Sequence, residues 1–184
     1  NCKANFTLKN FTATGDVTFI PGDDRFSSRE YAIGGLIGRT QCATYSAVLS
    51  NCQADGIIDI SFTRSDSVDC YVGGIVGYND TDTYQKFVPI KFQNCYNNID
   101  IKLDIKYVSS KADRDTIKVG GICGGYSTAT YCANYAKIDA SCSNGVYEAF
   151  VGGVLGLAEE AEQCANFGKI NVTVGELDDY AYSY

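Results

Sequence analysis

Four times the chain runs through a β-branched residue, two glycines, two apolar residues and a third glycine. The copies are Ile33–Gly38, Val72–Gly77, Val119–Gly124 and Val151–Gly156. Their first glycines, Gly34, Gly73, Gly120 and Gly152, stand 39, 47 and 32 residues apart. Four matches at six positions define a repeat, and units of this size bury their apolar sides by stacking on their neighbours. Ordinary strands are poor in glycine. The second glycines, Gly35, Gly74, Gly121 and Gly153, therefore signal a repeated bend with positive φ or the close approach of another backbone. The diglycine blocks read as short, fully buried strands.

A cysteine block follows each diglycine block: Asn51–Gly56, Asn94–Ile99, Tyr131–Ala136 and Gln163–Gly168. Cys52, Cys95, Cys132 and Cys164 share one position in it, and six residues later stand Ile58, Ile101, Ile138 and Ile170. Beyond the cysteines the residues alternate. Ile58, Ile60 and Phe62 are interleaved with Asp59, Ser61 and Thr63. Ile99, Ile101, Leu103, Ile105 and Tyr107 are interleaved with Asp100, Lys102, Asp104 and Lys106, and Ile170, Val172 and Val174 with Asn171 and Thr173. A period of two with one apolar side is the mark of a half-buried strand. Ile99 replaces the glycine seen at Gly56 and Gly168, so a different turn is expected there.

At the N-terminus, Asn1–Leu8 aligns without gaps on Asn94–Ile101 and reads as a partial further copy. Asp16–Ile20 reads as one more strand with Val17 and Phe19 inward, broken by Pro21-Gly22. Leu157–Gln163 has helical propensity, but its counterpart Tyr126–Tyr131 has none, so a turn, or one helical turn at most, is expected. The expected architecture is all-β: a parallel β-helix-like solenoid of about four irregular repeats in a single domain. Residues 1–30 form a lead-in, 31–174 the repeats and 175–184 a tyrosine-rich tail.

The two blocks resemble the GLUG repeat of bacterial IgA-specific metalloendopeptidases and large surface proteins. That repeat runs apolar-Gly-Gly-apolar-apolar-Gly and then Asn-Cys-Tyr-x-Asn-Gly-x-Ile. Val72–Gly77 and Asn94–Asn97 lie closest to its two halves, and the similarity spans about residues 31–174. The resemblance implies a β-solenoid-like stack in an extracellular protein and brings no catalytic residues. The zinc motif His-Glu-x-x-His of those peptidases is absent from this sequence.

The chain has 9 cysteines and no histidine. The shared position of Cys52, Cys95, Cys132 and Cys164 suits an internal ladder of small apolar side chains. Covalent stapling is the alternative, with Cys42–Cys52 and Cys132–Cys142 as local pairs. An odd count leaves at least one thiol unpaired or bonded to another molecule. Without histidine or Cys-x-x-Cys a zinc site is not expected, and a cysteine nucleophile would lack its base. Calcium could use Asn79, Asp80 and Asp82, or Asp113 and Asp115, although no EF-hand spacing occurs. No cofactor is expected, and no enzyme.

A net charge of −7 argues against a nucleic-acid partner. No apolar run approaches the roughly 18 residues of a membrane span. The sequence opens on Asn1, from which a removed leader or excision from a longer chain is expected. With sequons at Asn5, Asn10, Asn79 and Asn171, a secreted or cell-surface glycoprotein is expected. Tyrosine supplies 14 of the aromatic residues, and Tyr71, Tyr78, Tyr84, Tyr96, Tyr126, Tyr131, Tyr135 and Tyr147 fall near repeat corners. Tyr180, Tyr182 and Tyr184 of the tail are contact candidates. The expected function is a structural module of a surface fibre or stalk, associating with itself or with neighbouring repeats. The alternative is an adhesin domain that binds glycans or host proteins.

Overall fold

The computed structural model describes residues 7–9, 12–14, 17–19, 29–41, 47–64, 68–80, 88–107, 116–143, 146, 148–175 and 182–183. Within them every regular element is a β-strand, and every strand pairing is parallel. The strands form three sheets, and the chain visits them in a fixed order, pass after pass.

The first pass comprises Thr7–Lys9 in the first sheet, Thr12–Thr14 and Val17–Phe19 in the second, and Arg29–Gly34 in the third. The second comprises Ile37–Gln41 and Val48–Ser50, then Gln53–Arg64, then Val68–Gly73. The third comprises Val76–Asp80 and Ile90–Gln93, then Tyr96–Tyr107, then Thr116–Gly120. The fourth comprises Cys123–Thr130, then Ala133–Asn134 and Ile138–Ser143, then Glu148–Gly152. The fifth comprises Leu155–Glu162, then Ala165–Asn166 and Ile170–Val174, then Tyr182–Ser183.

Parallel pairing in register turns the repeat into columns. Val17, Ile58, Ile101, Ile138 and Ile170 share one column, and Phe19, Ile60, Leu103, Ala140 and Val172 the next but one. Ile58, Ile60, Ile101, Leu103 and Ile138 are all buried, as the alternation predicts. Each such side chain gains roughly 1.5–3 kcal/mol on full burial. Between these two columns runs an outward one, Asp59–Lys102–Asp139–Asn171, where Lys102 bridges to Asp59 at 3.2 Å.

The diglycines make the corner between the third and first sheets. In the first four passes the strand of the third sheet ends on the first glycine, and the next strand begins three residues later. They are corners rather than strands. Their glycines answer to space and not to positive φ, since Gly56 is the one positive-φ glycine among the described residues. A Cβ on Gly121 would stand 2.3 Å from the Gly153 carbonyl oxygen and 2.5 Å from Asn134 Cγ. Corners also bond from pass to pass: Gly74 N–H donates to Gly121 (3.0 Å) and Ile122 N–H to Val154 (2.7 Å).

The left-handed corner lies elsewhere, between the first and second sheets. Asn51, Asn94, Tyr131 and Gln163, each just before the shared cysteine, have φ of 53°, 52°, 55° and 51°. Asparagine tolerates this region, whereas tyrosine and glutamine are held there at a cost of roughly 1–2 kcal/mol.

Four further expectations are corrected. Leu157–Gln163 is neither helix nor turn, because Leu155–Glu162 is a strand paired along Cys123–Thr130. Ile99 makes no turn, because Tyr96–Tyr107 runs straight through it against Gly56. The N-terminal copy is displaced by nine residues. Thr12 pairs with Gln53 and Val17 with Ile58, the places that the alignment of Asn1–Leu8 would give to Lys3 and Leu8. Finally, Ile170 and Val172 hold inward positions yet remain 37% and 48% exposed.

Candidate functional site

The repeated positions of the second sheet stack into ladders, and the ladders end on the fifth pass. The buried one is made of amides. Asn97 Nδ2 donates to Asn134 Oδ1 and Asn134 Nδ2 to Asn166 Oδ1, both at 2.7 Å. The same nitrogens donate to the carbonyls two residues ahead, Ile99 (3.1 Å), Ala136 (2.9 Å) and Gly168 (2.8 Å). Asn97 Oδ1 accepts from the Ile99 N–H at 2.9 Å, and Asn134 Oδ1 from the Ala136 N–H at 3.3 Å. Asn97 and Asn134 are thus fully buried without orphaned polar atoms, the condition under which a buried amide stabilises. The second glycines of the last three pairs lie against this ladder: added Cβ atoms on Gly74, Gly121 and Gly153 would strike Asn97, Asn134 and Asn166. The ladder stops where Ala54 faces Asn97.

One residue on, the outward positions of the fourth and fifth passes carry rings. Tyr135 and Phe167 stack at 5.0 Å and 10°, and Tyr96 leans on Tyr135 at 6.4 Å. Tyr131, Tyr135 and Phe167 are exposed.

The cysteine ladder is a packing feature. Cys52, Cys95 and Cys132 are buried, and each thiol donates to the carbonyl two residues back, at 3.4–3.5 Å, as Cys164 does at 3.3 Å. The Cys95 N–H reaches the Cys132 sulfur at 3.4 Å. A Cys132–Cys142 bridge is overturned by the register. Ala133 pairs with Tyr96 and Cys142 with Ile105, nine residues along one unbroken strand, or about 30 Å, whereas a disulfide spans about 4.4–6.8 Å. Cys42 lies outside the described residues, so Cys42–Cys52 is not placed. Burial pushes Cys70 up to about 12, with Asp69 adding to the effect, and pushes Cys123 up to about 11. The side chain of Cys95, then burial, raises Cys132.

The outer face of the third sheet carries a second aromatic cluster. Tyr71 stacks on Tyr78 at 4.0 Å, and Lys118 Nζ lies 5.3 Å from the Tyr71 ring centre and 5.6 Å from that of Phe150. Arg39 sits over Tyr78 and bridges to Glu30 at 3.2 Å. Burial lowers Lys118 and raises Tyr71.

Asn79 is corrected as a glycosylation site and as a calcium ligand. It is 1% exposed, its Nδ2 donates to the Val88 carbonyl at 2.7 Å and its Oδ1 accepts from Thr40 at 2.9 Å. Asn171 lies on the outward column, donating to Asp139. Asp139 is lowered by hydrogen bonds from Lys137 and Asn171. Asn5, Asn10, the side chain of Asp80, Asp82, Asp113, Asp115, Tyr84, Tyr147, Tyr180 and Tyr184 fall outside the described residues. Tyr182 is placed in an edge strand beside Glu148. Among the described residues no group of three or more His, Cys, Asp or Glu is arranged to hold a metal. No helix there is long and apolar enough to cross a membrane.

The ladder of Asn97, Asn134 and Asn166 is absent from the expectations drawn from the sequence. The signal was there, an asparagine two residues after the shared cysteine in three consecutive copies. No family model matches the chain, and no curated protein or solved structure matches it.

Proposed function

We propose that the chain is a non-catalytic structural module of an extracellular fibre or stalk. In this reading its passes are coils of a parallel β-solenoid, and the solenoid is lengthened by further coils stacked head to tail. The observation that carries the reading is the exposure of inward positions on the fifth pass. Ile138 is fully buried in its column, whereas Ile170, next in that column, is 37% exposed and Val172 beside it 48%. Covering side chains of this kind gains roughly 1.5–3 kcal/mol each when burial is complete. Among the described residues, the strands of the fifth pass pair on one side alone, as do Thr7–Lys9, Val17–Phe19 and Arg29–Gly34 of the first. Because all strands run parallel, such ends join heterologously, and heterologous joints propagate unless they close into a ring. The resemblance to GLUG repeats and the sequons at Asn5, Asn10 and Asn171 support a place outside the cell.

Sedimentation velocity and negative-stain microscopy over rising concentration test the reading. Rods that lengthen with concentration are expected, and Ile170→Asp with Val172→Asp should abolish them. Monodisperse particles at every concentration would refute it. Exposed Tyr131, Tyr135 and Phe167 favour a second reading, adhesion to glycans or host proteins. Glycan-array binding that falls in Tyr131→Ala and Tyr135→Ala, without rods in the microscope, would select it.

A further inference from the structure

We infer that the occupant of the open fifth pass is a second copy of this chain, seated in one register that sets Lys9 of the incoming copy opposite Glu162. The inference rests on the stacking reading above and adds to it the partner and its alignment. The register relations extend each column by one step. Lys9, Ser50, Gln93, Thr130 and Glu162 form a single column of the first sheet. One end of that column is basic and the other acidic, and Glu160 and Glu162 are both exposed on the terminal strand. In the neighbouring column Leu8, Leu49, Phe92, Ala129 and Ala161 are apolar throughout. In the second sheet, Val17 of the incoming copy falls opposite Ile170, and Phe19 opposite Val172. Four columns from two sheets therefore agree on one alignment. A slip by one residue would set the apolar columns against outward ones and lose all four matches at once.

Two columns do not match, and this sets the strength of the joint. Asn166 would face Ala13, and Phe167 would face Thr14. The amide and aromatic ladders that link the third, fourth and fifth passes are thus interrupted at every joint. The junction is the weakest layer of the assembly, and Glu162 in its charge match is exposed, so it loosens with added salt.

Charge reversal tests the alignment. Lys9→Glu and Glu162→Lys should each weaken association at least tenfold in sedimentation velocity at low salt, with circular dichroism unchanged. Mixing the two variants should restore association, because one offers a reversed head and the other a reversed tail. The mixture should grow into alternating rods, since both joints between unlike variants pair opposite charges and only like–like joints repel. Ala13→Asn should tighten association severalfold by continuing the amide ladder. Association indifferent to both reversals, or single variants that are weakened but not rescued by mixing, would overturn the alignment while leaving stacking in place. A wild-type chain that stays monomeric would overturn both.

Discussion

The fourth and fifth passes carry almost the same words, Cys-Ala-Asn-Tyr-Ala-Lys-Ile and Cys-Ala-Asn-Phe-Gly-Lys-Ile, at the same register. Cys132 and Ile138 are nevertheless buried, while Cys164 is half-buried and Ile170 exposed. Nearly identical local sequence thus gives the same direction and different burial. Which way a side chain points is set within its own strand; whether it reaches a dry interior is set by the pass beyond it. Stability in a stacked repeat is accordingly a property of interfaces between passes more than of any single pass.

Paired substitutions sharpen that contrast. The largest effect is expected at the corners. Gly121→Ala places a methyl group against the Gly153 carbonyl oxygen, which the stacked corner cannot move, whereas Gly153→Ala meets only the side chain of Asn166. Chemical denaturation should show a loss of about 3 kcal/mol or more for the first and about 1 kcal/mol for the second. Equal losses would deny the difference between the passes. Ile138→Ala should follow with about 2–5 kcal/mol, against less than about 1 kcal/mol for Ile170→Ala in the monomer at low concentration.

The buried thiols set a third, pH-dependent contrast. Cys70 and Cys123 are held protonated up to about 12 and about 11 by burial, while the same thiols in the unfolded chain ionise near 9. A raised folded-state value contributes stability that is complete below the unfolded value and disappears as pH rises toward the folded one. Stability should therefore decline from about pH 9 upward, by up to about 1.4 kcal/mol per pH unit for each thiol. Urea melts between pH 8 and 11 would show it, with Cys70→Ala and Cys123→Ala flattening the slope; an unaltered slope in both variants would dismiss the mechanism.

The smallest effect is a gain. Gln163→Asn and Tyr131→Asn relieve a left-handed backbone and should each stabilise by about 0.5–1 kcal/mol in thermal melts. Asn51→Ala should do the reverse.

Much of this architecture was legible because it follows from period and spacing. Alternation at Ile58, Ile60, Ile101 and Leu103 named the inward face, and four diglycines marked the repeat, although they read as buried strands where the structure has corners. What stayed hidden has physical causes. The left-handed corner at Tyr131 and Gln163 leaves no local trace, because stacking overrides the preferences of those residues. Leu157–Gln163 has helical propensity, but its register against Ser127–Thr130 makes it a strand. Matching cysteine to cysteine aligned Asn1–Leu8, whereas pairing follows the apolar columns and sets Val17 and Phe19 beside Ile58 and Ile60. The exposure of Ile170 could not be read from its own repeat, which is indistinguishable in pattern from the one before it.

Hydrogen exchange resolved by segment tests the layered account most directly. The second-sheet strands of the third and fourth passes, residues 96–107 and 138–143, should exchange slowest, near the rate of global unfolding. Residues 165–174 should retain slow amides only where they donate backward, as Ala165 and Phe167 do to Cys132 and Asn134. The remaining amides of that segment should exchange quickly in the monomer and slow as concentration rises. Uniform protection across all three segments in the dilute monomer would contradict an open fifth pass and the stacking built on it.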